Sequence, residues 1–349
     1  METAMKKDIR SLTLPELREA VLAYGEKPFR ANQVYEWLHK KCVPGMDQMT
    51  NVPKYLKERM GQDFHVGSTQ VVTRQESKDG THKLLIRLQD GSLIETVSMP
   101  YRDWTTACIS SQVGCAQGCA FCASAVGGFR RSLTSGEMLE QVYQLNREGC
   151  GPISHVVVMG SGEPLNNYDN LVKWIRMITD KDGLNLSVRS ITVSTSGIVP
   201  RIYELSHEGL PINLAISLHA PFNEKRIEIM PIARKYSIDQ LIEACKYFFR
   251  QTGRRITIEY SLIKGFNDGA DDARALSGLL RGFQSHVNLI PMNPVRESRF
   301  RESEIRVINR FRDILEKNRI NVTIRREMGR DIDSACGQLR WHYMEGIHD

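Results

Sequence analysis

No apolar run in this 349-residue chain approaches the roughly 18 residues that cross a bilayer, and its opening segment has no hydrophobic core of a secretory leader. The expectation is a cytoplasmic protein without a membrane partner, in which the eight cysteines stay reduced and available as ligands or catalysts. A net charge of +6 permits a polyanionic partner without proving one. Hydrophobic content of 41% and charged content of 25% are ordinary for a globular chain, and the length suits one large domain with a smaller one.

A second shortage says more. Cys115-Ala-Gln-Gly-Cys119-Ala-Phe-Cys122 sets three thiols at C-x3-C-x2-C spacing, shortly before Gly127-Gly128. Three cysteines cannot form a disulfide framework by themselves, and they are one short of the four thiolates that close a structural zinc or iron–sulfur site. In a 4Fe–4S cluster, three irons would take thiolate and the fourth would stay open. The alternatives are a zinc site completed by a distant His or Cys, or three unrelated thiols. The spacing resembles the signature of the radical S-adenosylmethionine (SAM) superfamily, which implies that the open iron chelates the amino and carboxylate groups of SAM.

Residues 1–66 read as a small helical domain. Thr13-Leu-Pro-Glu16 has the form of a helix start, followed by Leu17, Val21, Leu22 and Tyr24 on one face; a second helix begins near Arg30. Lysines and arginines interleave there with Phe29, Tyr35, Trp37 and Tyr55, a mixture that suits folded RNA and equally suits solvated helix faces. Residues 67–100 form a β extension of period two, with strands at 71–74, 83–88 and 93–99. Glu95 lies in the last of these and reads as part of its solvent face.

Over 101–330, β-branched runs at 106–113, 155–159, 190–194, 213–218, 256–263, 286–291 and 321–324 alternate with helical periodicity. That is the pattern of βα units on a parallel sheet, an α/β full or partial (β/α) barrel with its active site at the C-terminal strand ends. At those ends fall the cysteine loop, Gly160-Ser-Gly162-Glu163-Pro164, Ser194-Thr-Ser-Gly197, Ser217-Leu218-His219 and Asn293. Gly160 and Gly162 would let backbone approach a ligand, and Glu163 offers a carboxylate to an ammonium or ribose hydroxyl. Taken singly, Ser194 and Ser217 could be helix caps, His219 structural, and Asn293 a turn former. Cys108 lies on the strand feeding the cysteine loop. Cys336, in a tail of residues 331–349, has glycine and acidic neighbours that favour a reactive thiol over a packed one, or a fourth ligand.

Taken together, Ser110-Ser-Gln-Val-Gly-Cys115, Gly162-Glu-Pro-Leu-Asn-Asn-Tyr168, Asn288-Leu-Ile-Pro-Met-Asn-Pro294 and Asp331-Ile-Asp-Ser-Ala-Cys-Gly-Gln-Leu339 resemble the RlmN/Cfr family of radical SAM RNA methyltransferases, over essentially the whole chain. The resemblance implies a partial (β/α) barrel of the radical SAM type. It also implies methylation at carbon 2 of an adenosine in 23S rRNA, and of the adenosine 3′ to the anticodon in tRNA. It assigns a 4Fe–4S cluster to Cys115, Cys119 and Cys122, and SAM contacts to Gly162, Glu163, Ser194, Ser217, Leu218, His219 and Asn293. Two SAM molecules would be consumed per methylation. Cys336 would carry the methyl group, Cys108 would resolve it through a transient disulfide, and Glu95 would accept a proton. An electron donor such as flavodoxin or ferredoxin and a monomeric state follow from the same likeness.

The C8 branch of the family is the nearest alternative, but it tends to carry Ala where this chain has Pro164. A non-catalytic iron–sulfur RNA-binding protein would have no use for Glu95 or Cys108. Residues 296–303 depart from the family pattern, and the stretch 296–330 holds eleven Lys/Arg against six Asp/Glu, a candidate RNA-facing surface.

Overall fold

A computed structural model of the chain describes residues 6–67, 69–125, 127–292, 300–326, 328–329, 331–333 and 337–346. Its main sheet has ten strands, and their order in space is their order in the chain. They are β1 (Gln70–Glu76), β2 (His82–Arg87), β3 (Leu93–Pro100), β4 (Thr105–Cys108), β5 (His155–Val158), β6 (Ile191–Thr195), β7 (Asn213–Ser217), β8 (Ile256–Leu262), β9 (Ser285–Pro291) and β10 (Asn321–Ile324). From β4 to β10 every pairing is parallel, as helical crossovers require; β1 to β3 are antiparallel and extend the sheet past β4. Among the described residues the sheet runs from β10 to β1 without closing on itself, so the (β/α) barrel is partial.

The apolar run at 106–113 does not make one strand. β4 ends at Cys108, and Gln112–Val113 pairs instead with Arg131–Ser132 in a small separate ribbon. The cause lies in the backbone amides. Ser110 N–H donates to Gln141 Oε1 at 2.7 Å, and Ser111 and Gln112 N–H both turn to the Ser161 carbonyl at 2.9 and 3.1 Å. The chain is thereby pulled off the sheet just where the three-cysteine loop begins.

Three helices, α1 (Leu14–Ala23), α2 (Phe29–His39) and α3 (Lys54–Asp63), build the N-terminal module. Thr13 and Glu16 cap α1 reciprocally, with Pro15 in its first turn. Leu17, Val21, Val34, Leu38 and Leu56 belong to the same continuous core as Val156, Val193, Ile216 and Ile258 of the barrel strands. Beside the barrel lie α4 (Ser135–Arg147), α5 (Tyr168–Ile178), α6 (Val199–Ser206), α7 (Asn223–Ile229), α8 (Ile238–Thr252), α9 (Ala270–Leu279) and α10 (Ile305–Lys317). A last helix, α11 (Gln338–Glu345), lies within the tail.

The β extension grips that tail. Gly329 N–H donates to Asp79 at 2.9 Å, Lys78 N–H donates to Asp331 at 3.1 Å, and Gln75 exchanges two hydrogen bonds with Asp333 at 3.1 and 3.2 Å. His342, on α11, meets the Asp333 carboxylate at 2.9 Å.

Candidate active site

One cavity of about 350 Å³ opens at the C-terminal strand ends. Cys108, Cys115, Cys119, Cys122, Gly162, Glu163, Ser194, Ser217 and His219 all line it. Leu218 is fully buried behind the wall, its N–H donating to the Glu259 carbonyl at 3.1 Å. Asn293 and Cys336 lie outside the described residues.

The cysteine loop is held by glycine and by an aromatic contact. Gly114 sits at φ +75°, and a Cβ there would run into the Gly128 carbonyl, so the two ends of the loop can close only on glycine. Phe121 packs edge to face on the His219 ring, centroids 4.8 Å apart. Burial pushes the Cys115 thiol up to about 11, with Cys122 and Glu163 adding to the effect, and raises Cys119 further for the same reasons. Three thiols so placed give up their protons together only if a cation joins them. An iron–sulfur cluster supplies that charge, and the donor set therefore fits one.

Gly160 and Gly162 line the cavity and also let a second stretch of chain come close behind them. A Cβ on Gly160 would stand 2.8 Å from the Ile109 carbonyl, and one on Gly162 would stand 2.8 Å from Gln112 N. What approaches them closely is the chain feeding the cysteine loop. Glu163 is buried; its carboxylate accepts from Leu165 N–H at 3.0 Å and Ser196 N–H at 2.7 Å, tying the loops after β5 and β6 together. Burial raises its proton affinity, partly offset by the Ser196 amide, so a ligand ammonium beside it would favour the charged form. Ser194 and Ser217 cap no helix: they face each other across β6 and β7 with hydroxyls 3.5 Å apart.

His219 adopts φ +57°, and its Nδ1 accepts from Ser261 N–H at 2.9 Å, which leaves the proton on Nε2. Burial, and then the Arg226 charge, lower it to about 3, so the ring is neutral. Two buried charges escaped the sequence reading. Arg226 stitches the ends of β6 and β7 through the Ser196 carbonyl at 2.6 Å and the Leu218 carbonyl at 3.2 Å. Glu259 lines the cavity and accepts from Asn288 at 2.9 Å. Glu259 interrupts the strand-like run Ile256–Leu262, and that interruption was the available signal; Arg226 sits among charged neighbours in Asn223–Ile229 and offered none.

Glu95 is no solvent-face residue. It is 7% exposed, because β2 and β4 flank its strand and the tail covers it. Its Oε1 accepts from Arg340 N–H at 2.6 Å; its Oε2 accepts from Gly337 N–H at 2.7 Å and lies 3.0 Å from Lys83 Nζ. Gly337, at φ +85°, abuts the cysteine loop: a Cβ there would reach 3.0 Å from Ser124 N.

Residues 109–276 match the radical SAM superfamily, and residues 7–66 match the ribosomal RNA large subunit methyltransferase N-terminal domain. A probable dual-specificity RNA methyltransferase RlmN of Lachnoclostridium phytofermentans is 52% identical over 97% of this chain and 96% of its own length. A protein of the same description from Geobacillus thermodenitrificans is 49% identical over 95% of the chain and 92% of its own. A crystal structure of a radical SAM methyltransferase from Sphaerobacter thermophilus superposes with a TM-score of 0.92 at 42% identity, covering 95% of this chain and 98% of that one.

Proposed function

Because the chain belongs to the RlmN family of radical SAM RNA methyltransferases, we propose that it methylates carbon 2 of an adenosine in the peptidyl-transferase centre of 23S rRNA and of the adenosine 3′ to the anticodon in tRNA. The observation carrying this reading is that one cavity collects Cys108 and the three loop thiols, while Glu95 holds the residue that directly follows Cys336.

Adenine carbon 2 is an electron-poor aromatic carbon without a lone pair, so polar methyl transfer straight from SAM is unfavourable. Cys115, Cys119 and Cys122 would hold a 4Fe–4S cluster, and Gly162, Glu163, Ser194, Ser217, Leu218, His219 and Asn293 would hold SAM. When bound, the two supply one-electron cleavage of SAM and hence removal of a hydrogen atom from a methyl group. Cys336 is the methyl carrier and delivers that carbon to the base, which links protein to RNA through one carbon. Glu95 takes the C2 proton as the adduct gives up its odd electron, which would return to the cluster. Cys108, as thiolate, then attacks the Cys336 sulfur, and the S–CH2 bond breaks with its electron pair passing to carbon. That carbon takes a proton to become the methyl group, leaving a transient Cys108–Cys336 disulfide. The target adenine is extruded to reach the cavity, since its carbon 2 is shielded in a stack. Pro164, which opens the short 3-10 turn capped by Glu163, favours the C2 branch over the C8 branch.

The same reading assigns residues 1–66 and the exposed arginines of 301–319 to RNA contact, 67–100 to support of the tail at 331–349, and 101–330 to the catalytic barrel. It places the enzyme in the cytoplasm as a monomer served by a flavodoxin- or ferredoxin-type donor. Anaerobic reconstitution of the cluster with unmodified 23S rRNA and tRNA, followed by nucleoside mass spectrometry, tests it. 2-Methyladenosine is expected in both RNAs; 8-methyladenosine, or SAM cleavage with no methylated nucleoside, would overturn it.

A further inference from the structure

Lys83 lies within the strand His82-Lys-Leu-Leu-Ile-Arg87, and its side chain is 1% exposed. A lysine is seldom buried so completely unless its ammonium is paired, because desolvating the charge is costly. Here the ammonium bridges two separate parts of the molecule. It lies 3.0 Å from Glu95 Oε2 on β3, and it donates to the Asp333 carbonyl of the tail at 2.5 Å. Glu95 in turn accepts from Gly337 N–H and Arg340 N–H at the start of α11. The Lys83–Glu95 pair thus grips the tail at Asp333 and again at Gly337, on both sides of Cys336.

The two grips differ in kind. Those from Gly337 and Arg340 belong to the tail, and they occupy both oxygens of the carboxylate. Oε2 already takes two donors, Gly337 N–H and the Lys83 ammonium, whereas Oε1 takes, among the described residues, only Arg340 N–H and keeps a lone pair for a proton. Lys83 belongs to β2, hydrogen-bonded between β1 and β3, so its strand does not leave with the tail.

We propose that Lys83 is a positioning residue for the release step: it fixes the Glu95 carboxylate in one orientation as the tail amides let go. The proposal rests on the reading of Glu95 as proton acceptor given above. It concerns the last stage only, because methylation of Cys336 and cleavage of SAM both precede any need for the carboxylate.

The test separates those stages in the cluster-loaded enzyme with unmodified rRNA. Methylated Cys336 is read by protein mass, SAM cleavage by 5′-deoxyadenosine, the stalled protein–RNA adduct on a denaturing gel, and product by nucleoside mass spectrometry. Lys83→Met should keep the first two within about twofold, lose product by roughly a hundredfold or more, as removal of a positioned base does, and accumulate the adduct. Lys83→Arg, which preserves the cation and its donors, should recover product to within about tenfold and clear the adduct. Equal loss at every stage in Lys83→Met, with no recovery in Lys83→Arg, would mean that the lysine merely holds the fold and would overturn the proposal. Undiminished product in Lys83→Met would overturn it as well. Glu95→Gln runs alongside: if the wild type turns over and this variant does not stall, the role of Glu95 itself fails and takes that of Lys83 with it.

Discussion

Two appendages are joined to the barrel, one at each end of the chain, and they are joined differently. The N-terminal module merges with it: Ile9, Leu17, Val34 and Leu38 share the barrel's own core, and the Arg10 guanidinium meets Glu140 where both side chains are almost wholly sealed from water. Around that pair, Arg147 reaches Glu140 and the Cys42 carbonyl, and Tyr143 meets His39 at 2.8 Å. The tail is instead pinned. Its anchors are the carboxylates of Asp79, Asp331, Asp333 and Glu95, most of them bonded to backbone amides, with Leu339 as the main buried apolar side chain. Shared apolar core comes apart only with the fold, whereas hydrogen bonds at a wet edge can exchange with water one at a time. On the function proposed above, a module that orients RNA would be served by the first kind of junction, and a segment that must approach and leave a substrate by the second.

Breaking the first junction should therefore have the largest effect. Arg10→Ala leaves Glu140 buried with Arg147 and Thr69 as its partners among the described residues, and loss of one member of a buried pair costs about 3–5 kcal/mol. Denaturant unfolding should register that drop, and Arg10→Met with Glu140→Met should recover most of it. A single change worth less than about 1 kcal/mol would show that apolar contact alone holds the module.

The contrast also explains what could be read from the chain beforehand. The barrel strands and their rim were legible because β-branched runs recur at βα spacing, and the capped start of α1 because Thr13 and Glu16 are local. Glu95 was misread because strand alternation sees only near neighbours, while the residues that cover it, Gly337 and Arg340, are some 240 positions away. Gly160 and Gly162 read as ligand-facing glycines and do line the cavity; only the fold reveals that Ile109 and Gln112 also pack against them. The helices α7 and α11 are too short for periodicity to announce. Lys83, Arg226 and Glu259 were passed over because a charge in a strand or helix is usually a solvated one.

A smaller effect at the same junction comes from acid. Burial, and then the Arg10 charge, lower His39 to about 3, below the 6.5 of a free histidine. The unfolded chain therefore binds this proton more tightly than the fold does. Stability is complete above pH 6.5 and declines as pH falls toward 3, by up to about 1.4 kcal/mol per unit. His219 titrates in the same sense, so wild type must be compared with His39→Gln across pH 7 to 4.5; the difference in slope isolates the N-terminal junction. Equal slopes would remove His39 from the account.

The smallest change distinguishes the junctions most sharply. Asp331 is exposed at the edge of the tail, where its carboxylate accepts from Ser77 Oγ and Lys78 N–H, and the Ser77 bond holds it below the usual carboxylate range. Removing such a group barely touches global unfolding, because the carboxylate itself is exposed and Ser77 Oγ still accepts from Asp79 N–H at 3.4 Å. What changes is the frequency with which the tail lifts from β1 and β2. In Asp331→Ala, hydrogen exchange at the backbone amides of Gly337 and Arg340 should quicken, since both are protected only while docked on Glu95, and amides within α1 and α2 should keep their wild-type rates. If both sets quickened together, the tail would open only when the whole chain does, and the distinction between a merged and a pinned appendage would be lost.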